Sequence, residues 1–279
     1  MFDLMKLIFG DKTTGTFSFK PFSLCHIIYL AAIIVAIVVL IYCFRNKNKD
    51  FKFKVVDITV NIAFALYMAD FFFMPLSQNE IGISKLPFHL CTLMSILCFL
   101  SRRTKFFAKF KNSFTLLGLI GALMYLVYPA GVRNGSGDYF DGYTYRIIQT
   151  VLYHGLMVAQ GVFAIAFGDV KLEWKTFKHD VIIILCITVW AMFGNFVYTG
   201  EVYQECGCVE GCTELIIIYS EEPNWFFVQH DALYIFPNEY DGYFAPFMMI
   251  GAISGMCALI RFLSNLLLKA FKKEETITL

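Results

Sequence analysis

The segment that decides the fold of this chain is residues 86–92, which read Leu-Pro-Phe-His-Leu-Cys-Thr and open the apolar run 86–100. A proline suits the first turn of a helix, because its missing N–H group needs no partner there and its φ is already helical. The run ends at residues 101–105, where Ser-Arg-Arg-Thr-Lys brings positive charge that hydrocarbon does not accommodate. The pattern therefore predicts a membrane-spanning helix that begins at the proline and carries His89 and Cys91 close to one membrane face.

The composition of the whole chain indicates the same environment. Of the 279 residues, 58% are hydrophobic and 18% are aromatic, and the mean hydropathy is +0.63. Soluble domains have an apolar share of about 45–50%. The net charge of +1 gives no reason to expect a nucleic-acid partner. We therefore predict a multi-pass protein of the cell membrane, and residues 1–20 lack the continuous apolar core of a cleavable signal peptide.

Seven apolar runs are long enough to cross about 30 Å of hydrocarbon as helices. They are residues 22–44, 55–76, 86–100, 106–129, 145–168, 180–199 and 242–268. The sequence thus predicts an all-α, polytopic membrane helix bundle with about seven transmembrane helices. Its predicted organisation is an outer N-terminal segment at 1–21, a single transmembrane domain at 22–270 and a cytoplasmic tail at 271–279.

Lysine and arginine are distributed unevenly between the two predicted sides of the membrane. Seventeen of them are counted on the side where spans 1, 3, 5 and 7 end, including Arg261 inside span 7, and six lie on the opposite side. Cytoplasmic loops carry the excess of positive residues. The N-terminus is therefore predicted outside and the C-terminus in the cytoplasm. The predicted outer side also receives the acidic residues Glu201, Glu205, Glu210, Glu214, Glu221 and Glu222 of the loop 200–241.

The outer loop also contains Cys206, Cys208 and Cys212. A zinc site usually needs four ligands, and no fourth partner is close in sequence. Disulfides form outside the cytoplasm, so a bond between Cys212 and either of the other two is favoured. We predict no metal site and no cofactor.

Polar residues inside the spans gather in the predicted outer half of the bundle. Such residues are costly in hydrocarbon and normally face a cavity or a partner. They are His26 and His89 at the starts of spans 1 and 3, Asp70 near the outer end of span 2, Arg146 and His154 on one stripe of span 5, and Asn195 near the outer end of span 6. Each also has a structural interpretation, as a hydrogen bond between helices or as an Asp70–Arg146 ion pair, but their convergence at one depth favours a common site.

Within this group, Cys91 and His154 are suited to covalent chemistry. A thiolate near a helix N-terminus and beside an imidazole is an activated nucleophile. On an ideal helix His89 and Cys91 lie about 200° apart, so His154 is the predicted base for Cys91. Supporting or substrate-binding roles are predicted for His89, Asn195, Asp70, His26 and Arg146.

These motifs resemble those of a known family. The segments that carry the resemblance are Leu-Pro-Phe-His-Leu-Cys at 86–91, the opening of span 1 at 22–26, Tyr-His-Gly at 153–155 and Gly-Asn at 194–195. They are similar to the YwaF-type integral membrane proteins, the family that includes transmembrane protein 164, over about residues 20–265. The resemblance implies acyl transfer between phospholipids, with Cys91 as nucleophile and His154 as base. A distantly similar group hydrolyses fatty-acid esters with a threonine nucleophile, and the long outer loop with three cysteines departs from the family pattern.

The sequence thus predicts a Cys/His-dependent lipid acyltransferase or ester hydrolase that acts on membrane lipids from the outer half of the bilayer. Membrane lipids are its predicted environment and substrate, and protein partners stay open. The alternative is a small-molecule transporter or a seven-helix receptor or scaffold that uses the same polar cavity for binding. Transporters often show internal repeats, which are not visible here, and the run 244–268 has no lysine for a retinal Schiff base.

Overall fold

A computed structural model describes the backbone of most of the chain. The described residues are 14–18, 21–78, 86–128, 141–143, 145–198, 200–205, 215–221 and 241–277, with side chains described in 21–72, 86–128, 148–197 and 243–266. Within them lie seven helices of 12 residues or more. These are α1 (Leu24–Phe44), α2 (Lys49–Gln78), α3 (Leu90–Ser101), α4 (Lys111–Val127), α5 (Tyr145–Ala166), α6 (Phe177–Tyr198) and α7 (Asp241–Ile277).

Five of these helices, α1, α2, α5, α6 and α7, are long and apolar enough to cross a membrane. Helices α3 and α4 are apolar but have only 12 and 17 residues. At 1.5 Å per residue they reach about 18 Å and about 26 Å, against about 30 Å of hydrocarbon. The predicted multi-pass helical architecture is therefore confirmed, whereas the count of seven spans and the direction of the termini stay predictions.

Four short strands accompany the helices in the described part of the chain. Strand β1 (Thr14–Ser18) pairs antiparallel with β2 (Asp141–Tyr143), and β3 (Gly200–Glu205) pairs antiparallel with β4 (Leu215–Glu221). The all-α prediction did not include them. Strand β4 contains three consecutive isoleucines, and β-branched side chains favour strands. The three cysteines of the predicted disulfide lie between β3 and β4, outside the described residues.

Two predicted helix boundaries are wrong for local reasons. Helix α3 begins at Leu90, not at Pro87, because the Phe88 N–H group donates to the Leu86 carbonyl in a turn (2.8 Å) and His89 is extended, with φ −79° and ψ 148°. The predicted span 106–129 is interrupted. A four-residue helix, Lys105–Ala108, is capped by Thr104 and ends before α4 begins.

The chain divides into two compact units. The first comprises Met1–Asp180 and Met256–Leu279, and the second comprises Val181–Gly255. In the first unit α4 is the central helix, because 11 of its 17 residues are buried and it packs against α3 and α5. Helix α2 packs on α3 and α5, and α1 packs on α5. The prediction of a single transmembrane domain stays a prediction.

Helix α1 presents its apolar side chains to its surroundings. Only His26 and Ile37 of its 21 residues are buried, while Ile34 and Val38 are 61% and 59% exposed. A helix that is apolar on its exposed faces matches lipid rather than water. The second unit has its own buried apolar residues on α6 and the first part of α7, among them Ile184, Ile187 and Ile253.

Polar contacts join the helix ends on one side of the first unit, which we call the inner end. Arg103 donates to Asp57 (3.0 Å) and Asn61 (2.6 Å), and Asp169 accepts from Arg102 (2.7 Å) and Lys111 (2.9 Å). These contacts bring together the start of α2, the end of α3, the start of α4 and the segment after α5. Helices that alternate in direction bring these ends to one side. Asp57 and Asn61, one helical turn apart on α2, thus share one arginine.

Candidate functional site

Cys91 lies in the first turn of α3, where α3, α4 and α5 meet. Its Sγ atom faces Gly121 of α4, and a Cβ atom built on Gly121 would lie 3.4 Å from it. The Tyr153 hydroxyl of α5 donates to the Cys91 carbonyl oxygen at 3.0 Å. The thiol is partly buried and free. Cys91 is therefore positioned by contacts with two neighbouring helices.

His154 is buried in α5, with 5% of its surface exposed. Its Nδ1 atom lies 2.7 Å from the Thr150 carbonyl oxygen. A carbonyl oxygen only accepts, so Nδ1 carries the hydrogen and Nε2 is the unprotonated nitrogen of the neutral ring. The imidazole stacks on the Tyr125 ring of α4, with the centroids 3.7 Å apart and the planes at 8°. This contact and the hydrogen bond fix both the tautomer and the plane of the ring.

The predicted nucleophile and base contact neighbouring positions of the same helix. Gly121 faces the Cys91 sulfur and Tyr125 faces the His154 ring. Residues four apart on a helix lie on one face, about 6 Å apart along the axis. Tyr153, which precedes His154, contacts the Cys91 backbone. The structure thus brings the predicted pair into one region of the first unit.

His26 holds two helix ends together. Its Nδ1 atom accepts from the Phe22 N–H group (2.7 Å), and Nε2 donates to the Leu126 carbonyl oxygen (2.8 Å) near the end of α4. The ring is fully buried. Phe22 has a φ of +61°, a strained value for a residue with a Cβ atom. Both ring nitrogens are therefore engaged with backbone groups, and the geometry fits a structural link between α1 and α4.

The other predicted site residues lie on α2, before α3, on α5 and on α6. Asp70 is buried on α2 with 2% exposure. His89 is partly buried and precedes α3, so the angle of about 200° between His89 and Cys91, which assumes that both are helical, does not apply. Asn195 is buried (5% exposed) and belongs to the second unit. The side chain of Arg146 lies outside the described residues.

Sequence reasoning missed the contact of Tyr125 with His154 and a buried ion pair. Arg261 of α7 and Asp180 of α6 are both fully buried, and the guanidinium donates twice to Asp180 Oδ2, from Nε at 2.8 Å and from a terminal nitrogen at 2.5 Å. It also donates to the Glu173 carbonyl (2.7 Å) and to Thr176 Oγ1 (2.9 Å). The available signal was a single arginine within the apolar run 242–268.

The described residues include no group of three His, Cys, Asp or Glu side chains arranged to hold a metal ion. The chemistry that the site itself offers is that of a thiol, an imidazole and hydroxyl donors.

Comparison with known protein families gives one match. A family model described as the TMEM164 family matches residues 21–264, a segment that includes Cys91 and His154. Comparisons with curated proteins and with solved structures found no match.

Proposed function

Since the chain belongs to the TMEM164 family, a membrane protein family, we propose that it catalyses acyl transfer or ester hydrolysis on membrane lipids, with Cys91 as nucleophile and His154 as base. The observation that carries the proposal is the position of the two residues. They contact Gly121 and Tyr125, one turn apart on one face of α4. Nucleophile and base must lie within reach of each other for this chemistry.

In the first half of the proposed reaction, His154 Nε2 takes the proton from the Cys91 thiol. The thiolate attacks the carbonyl carbon of a lipid ester, and the tetrahedral intermediate then breaks its C–O bond. The lipid alkoxide leaves with the proton from His154, and an acyl thioester stays on Cys91. The hydrogen bond from Nδ1 to the Thr150 carbonyl supports this role, because it directs the lone pair to Nε2.

In the second half, a hydroxyl group attacks the thioester while His154 Nε2 accepts its proton. A lysolipid hydroxyl gives a new lipid ester, and water gives a free fatty acid. The C–S bond breaks, and the proton returns to the Cys91 sulfur. Transfer and hydrolysis therefore share the same residues and differ only in the acceptor.

The surroundings of Cys91 supply groups for the developing oxyanion. The first N–H groups of a helix have no partner within the helix, and Cys91 is the second residue of α3. His89 at the N-cap makes no capping hydrogen bond with its side chain, which leaves those amides uncapped by this residue. We infer that these amides, with His89 as a further donor, stabilise the oxyanion.

The proposed reaction takes place in the outer half of the bilayer. Cys91 is ten residues from Ser101, the last residue of α3, or about 15 Å at 1.5 Å per residue. The inner end carries Arg102, Arg103 and Lys111, which matches the positive charge of cytoplasmic loops. We therefore propose a bundle of seven spans in the cell membrane, with the N-terminus outside and the C-terminus in the cytoplasm.

Peptide mass spectrometry on the full-length protein tests the proposed function. The protein is reconstituted with phosphatidylcholine and a lysophospholipid, and the peptide with Cys91 is examined for a fatty acyl mass that neutral hydroxylamine removes. We expect this mass in the native protein and in Cys98→Ser, whose substituted cysteine lies in the same helix and is buried. We expect its loss in Cys91→Ser and a strong decrease in His154→Gln.

Two results would contradict the proposal. One is the absence of the acyl mass from native protein across a broad lipid mixture. The other is an acyl mass that persists at the same rate in His154→Gln. The first result, with substrate uptake or ligand binding retained in Cys91→Ser, would favour the transporter or receptor alternative and leave Cys91 as a packing residue. The second result would remove His154 from the role of base.

A further inference from the structure

A cavity of about 550 Å³ opens at the inner end of the first unit. Its lining includes Phe53, Lys54 and Asp57 of α2, Arg102 after α3, Lys111 of α4 and Asp169 after α5. The volume lies within the range of about 300–1,000 Å³ typical of small-molecule sites. The cavity is separate from Cys91, which lies near the opposite end of α3.

The charges that line the cavity are arranged to accept an anion. Three cations and two carboxylates give the lining a net charge of +1. Asp169 is 5% exposed and is already bound by Arg102 and Lys111, and Asp57 is bound by Arg103. Both carboxylates are therefore neutralised by protein cations. Arg102 and Lys111 have further N–H donors beyond the single bond that each makes to Asp169.

Lys54 adds a cation that is available to a ligand. Its side chain is exposed, and the described part of the chain contains no ion-pair partner for it. It lies three residues before Asp57 and thus one turn away on the same helix. Lys54 and Lys111 line the same cavity from different helices.

The location of the cavity identifies the kind of anion. The inner end lies at the proposed membrane surface, and exposed aromatic residues near it, Phe106 at 64% and Trp174 at 50%, suit the headgroup region. We propose that this cavity binds a phosphate monoester, carried either by an anionic lipid headgroup or by a free phosphate compound. Clusters of lysine and arginine at the cytoplasmic surface are the usual means of binding such groups.

Native mass spectrometry of the full-length protein in a non-ionic detergent measures this binding. The probes are phosphatidic acid and, as the zwitterionic comparison, phosphatidylcholine. We expect phosphatidic acid to bind more tightly, and Lys54→Gln or Lys111→Gln each to weaken it about fivefold, the equivalent of about 1 kcal/mol per cation. Lys54→Arg keeps the charge and is expected to retain native affinity.

Lys178→Gln is the matched control, because Lys178 is an exposed lysine in the first turn of α6 that does not line the cavity. We expect it to leave the affinity unchanged.

Competition with inorganic phosphate distinguishes a lipid headgroup from a free phosphate compound as the source of the phosphate group. Displacement of phosphatidic acid by millimolar phosphate indicates a site for the phosphate group itself, and retention of the lipid indicates a headgroup site that also needs the acyl chains. The proposal is overturned if Lys178→Gln weakens binding as much as Lys54→Gln, or if neither cavity lysine affects it.

Discussion

Replacement of Arg261 by methionine is expected to lower the free energy of unfolding by about 3–5 kcal/mol, the usual cost of breaking a buried ion pair. The guanidinium makes four hydrogen bonds, two to Asp180 Oδ2, one to the Glu173 carbonyl and one to Thr176 Oγ1. Both charged side chains are fully buried. Asp180 Oδ1 has no hydrogen-bond partner among the described residues, so the carboxylate left behind would have neither a cation nor solvent.

The double variant Asp180→Leu with Arg261→Met separates the lost ion pair from lost packing. It removes both charges and fills the space with apolar groups, and such exchanges are often neutral or stabilising. The Glu173 carbonyl loses one donor, a cost of about 1 kcal/mol. We therefore expect the double variant to be at least about 2 kcal/mol more stable than Arg261→Met alone.

The measurement is unfolding of the full-length protein by sodium dodecyl sulfate in mixed micelles, followed by far-ultraviolet circular dichroism. Arg103→Met is the control, because the side chains of Arg103 and Asp57 are each more than one third exposed. Exposed ion pairs contribute about 0–1 kcal/mol to the free energy of unfolding. The reasoning is refuted if Arg261→Met costs no more than Arg103→Met, or if the double variant is less stable than the single one.

Three further substitutions, with Gly118→Ala as a control for the first, test the packing of the first unit. In Gly121→Ala the new methyl group would lie 3.4 Å from the Cys91 sulfur and 3.1 Å from the Leu90 side chain. A shift of Cys91 by about half an ångström is expected to slow its acylation about tenfold. Gly118→Ala, with its nearest contact at 3.4 Å, should leave the acylation rate unchanged. Gly161→Ala would place a Cβ atom 2.8 Å from a side chain of α4 and is expected to cost about 1–3 kcal/mol in a thermal unfolding assay. His26→Ala leaves a buried carbonyl without its donor and should lower stability by about 1–3 kcal/mol in the same assay; an unchanged melting temperature would argue against the structural role.

The long membrane helices could be predicted because their signal is local. Helices α1, α2, α5, α6 and α7 each contain a window with high hydropathy and few charges, and no distant contact is needed to recognise it. The start of α3 was misplaced by three residues, because a turn closed by the Phe88 N–H group competes with a helix at Pro87. Propensity alone does not decide between two such local arrangements.

The roles of single polar residues depended on partners far away in sequence. The acceptor of His26 Nε2 is Leu126, 100 residues later, and the partner of Arg261 is Asp180, 81 residues earlier. Arg261 was therefore counted among the charges beyond span 7, although it is buried within α7. By contrast, the spacing of four between Thr150 and His154 was visible in the sequence, and the Thr150 carbonyl is the acceptor of the His154 ring.

The proposed site is held by acceptors that side-chain substitution does not remove. His154 Nδ1 donates to the Thr150 carbonyl and the Tyr153 hydroxyl donates to the Cys91 carbonyl. Backbone carbonyls are present whatever the side chain, and each has two lone pairs, so a helical carbonyl bonds its own helix and a side chain together. The orientation of the base thus depends on the geometry of α5 and on the stacked Tyr125 ring, to whose hydroxyl the Thr150 side chain donates. Such neutral contacts also fix the two residues without bringing a further charge into hydrocarbon, where an unpaired charge is costly. Charged contacts hold the helix ends at the inner end instead, and this division leaves the Cys91 region available to an uncharged lipid ester.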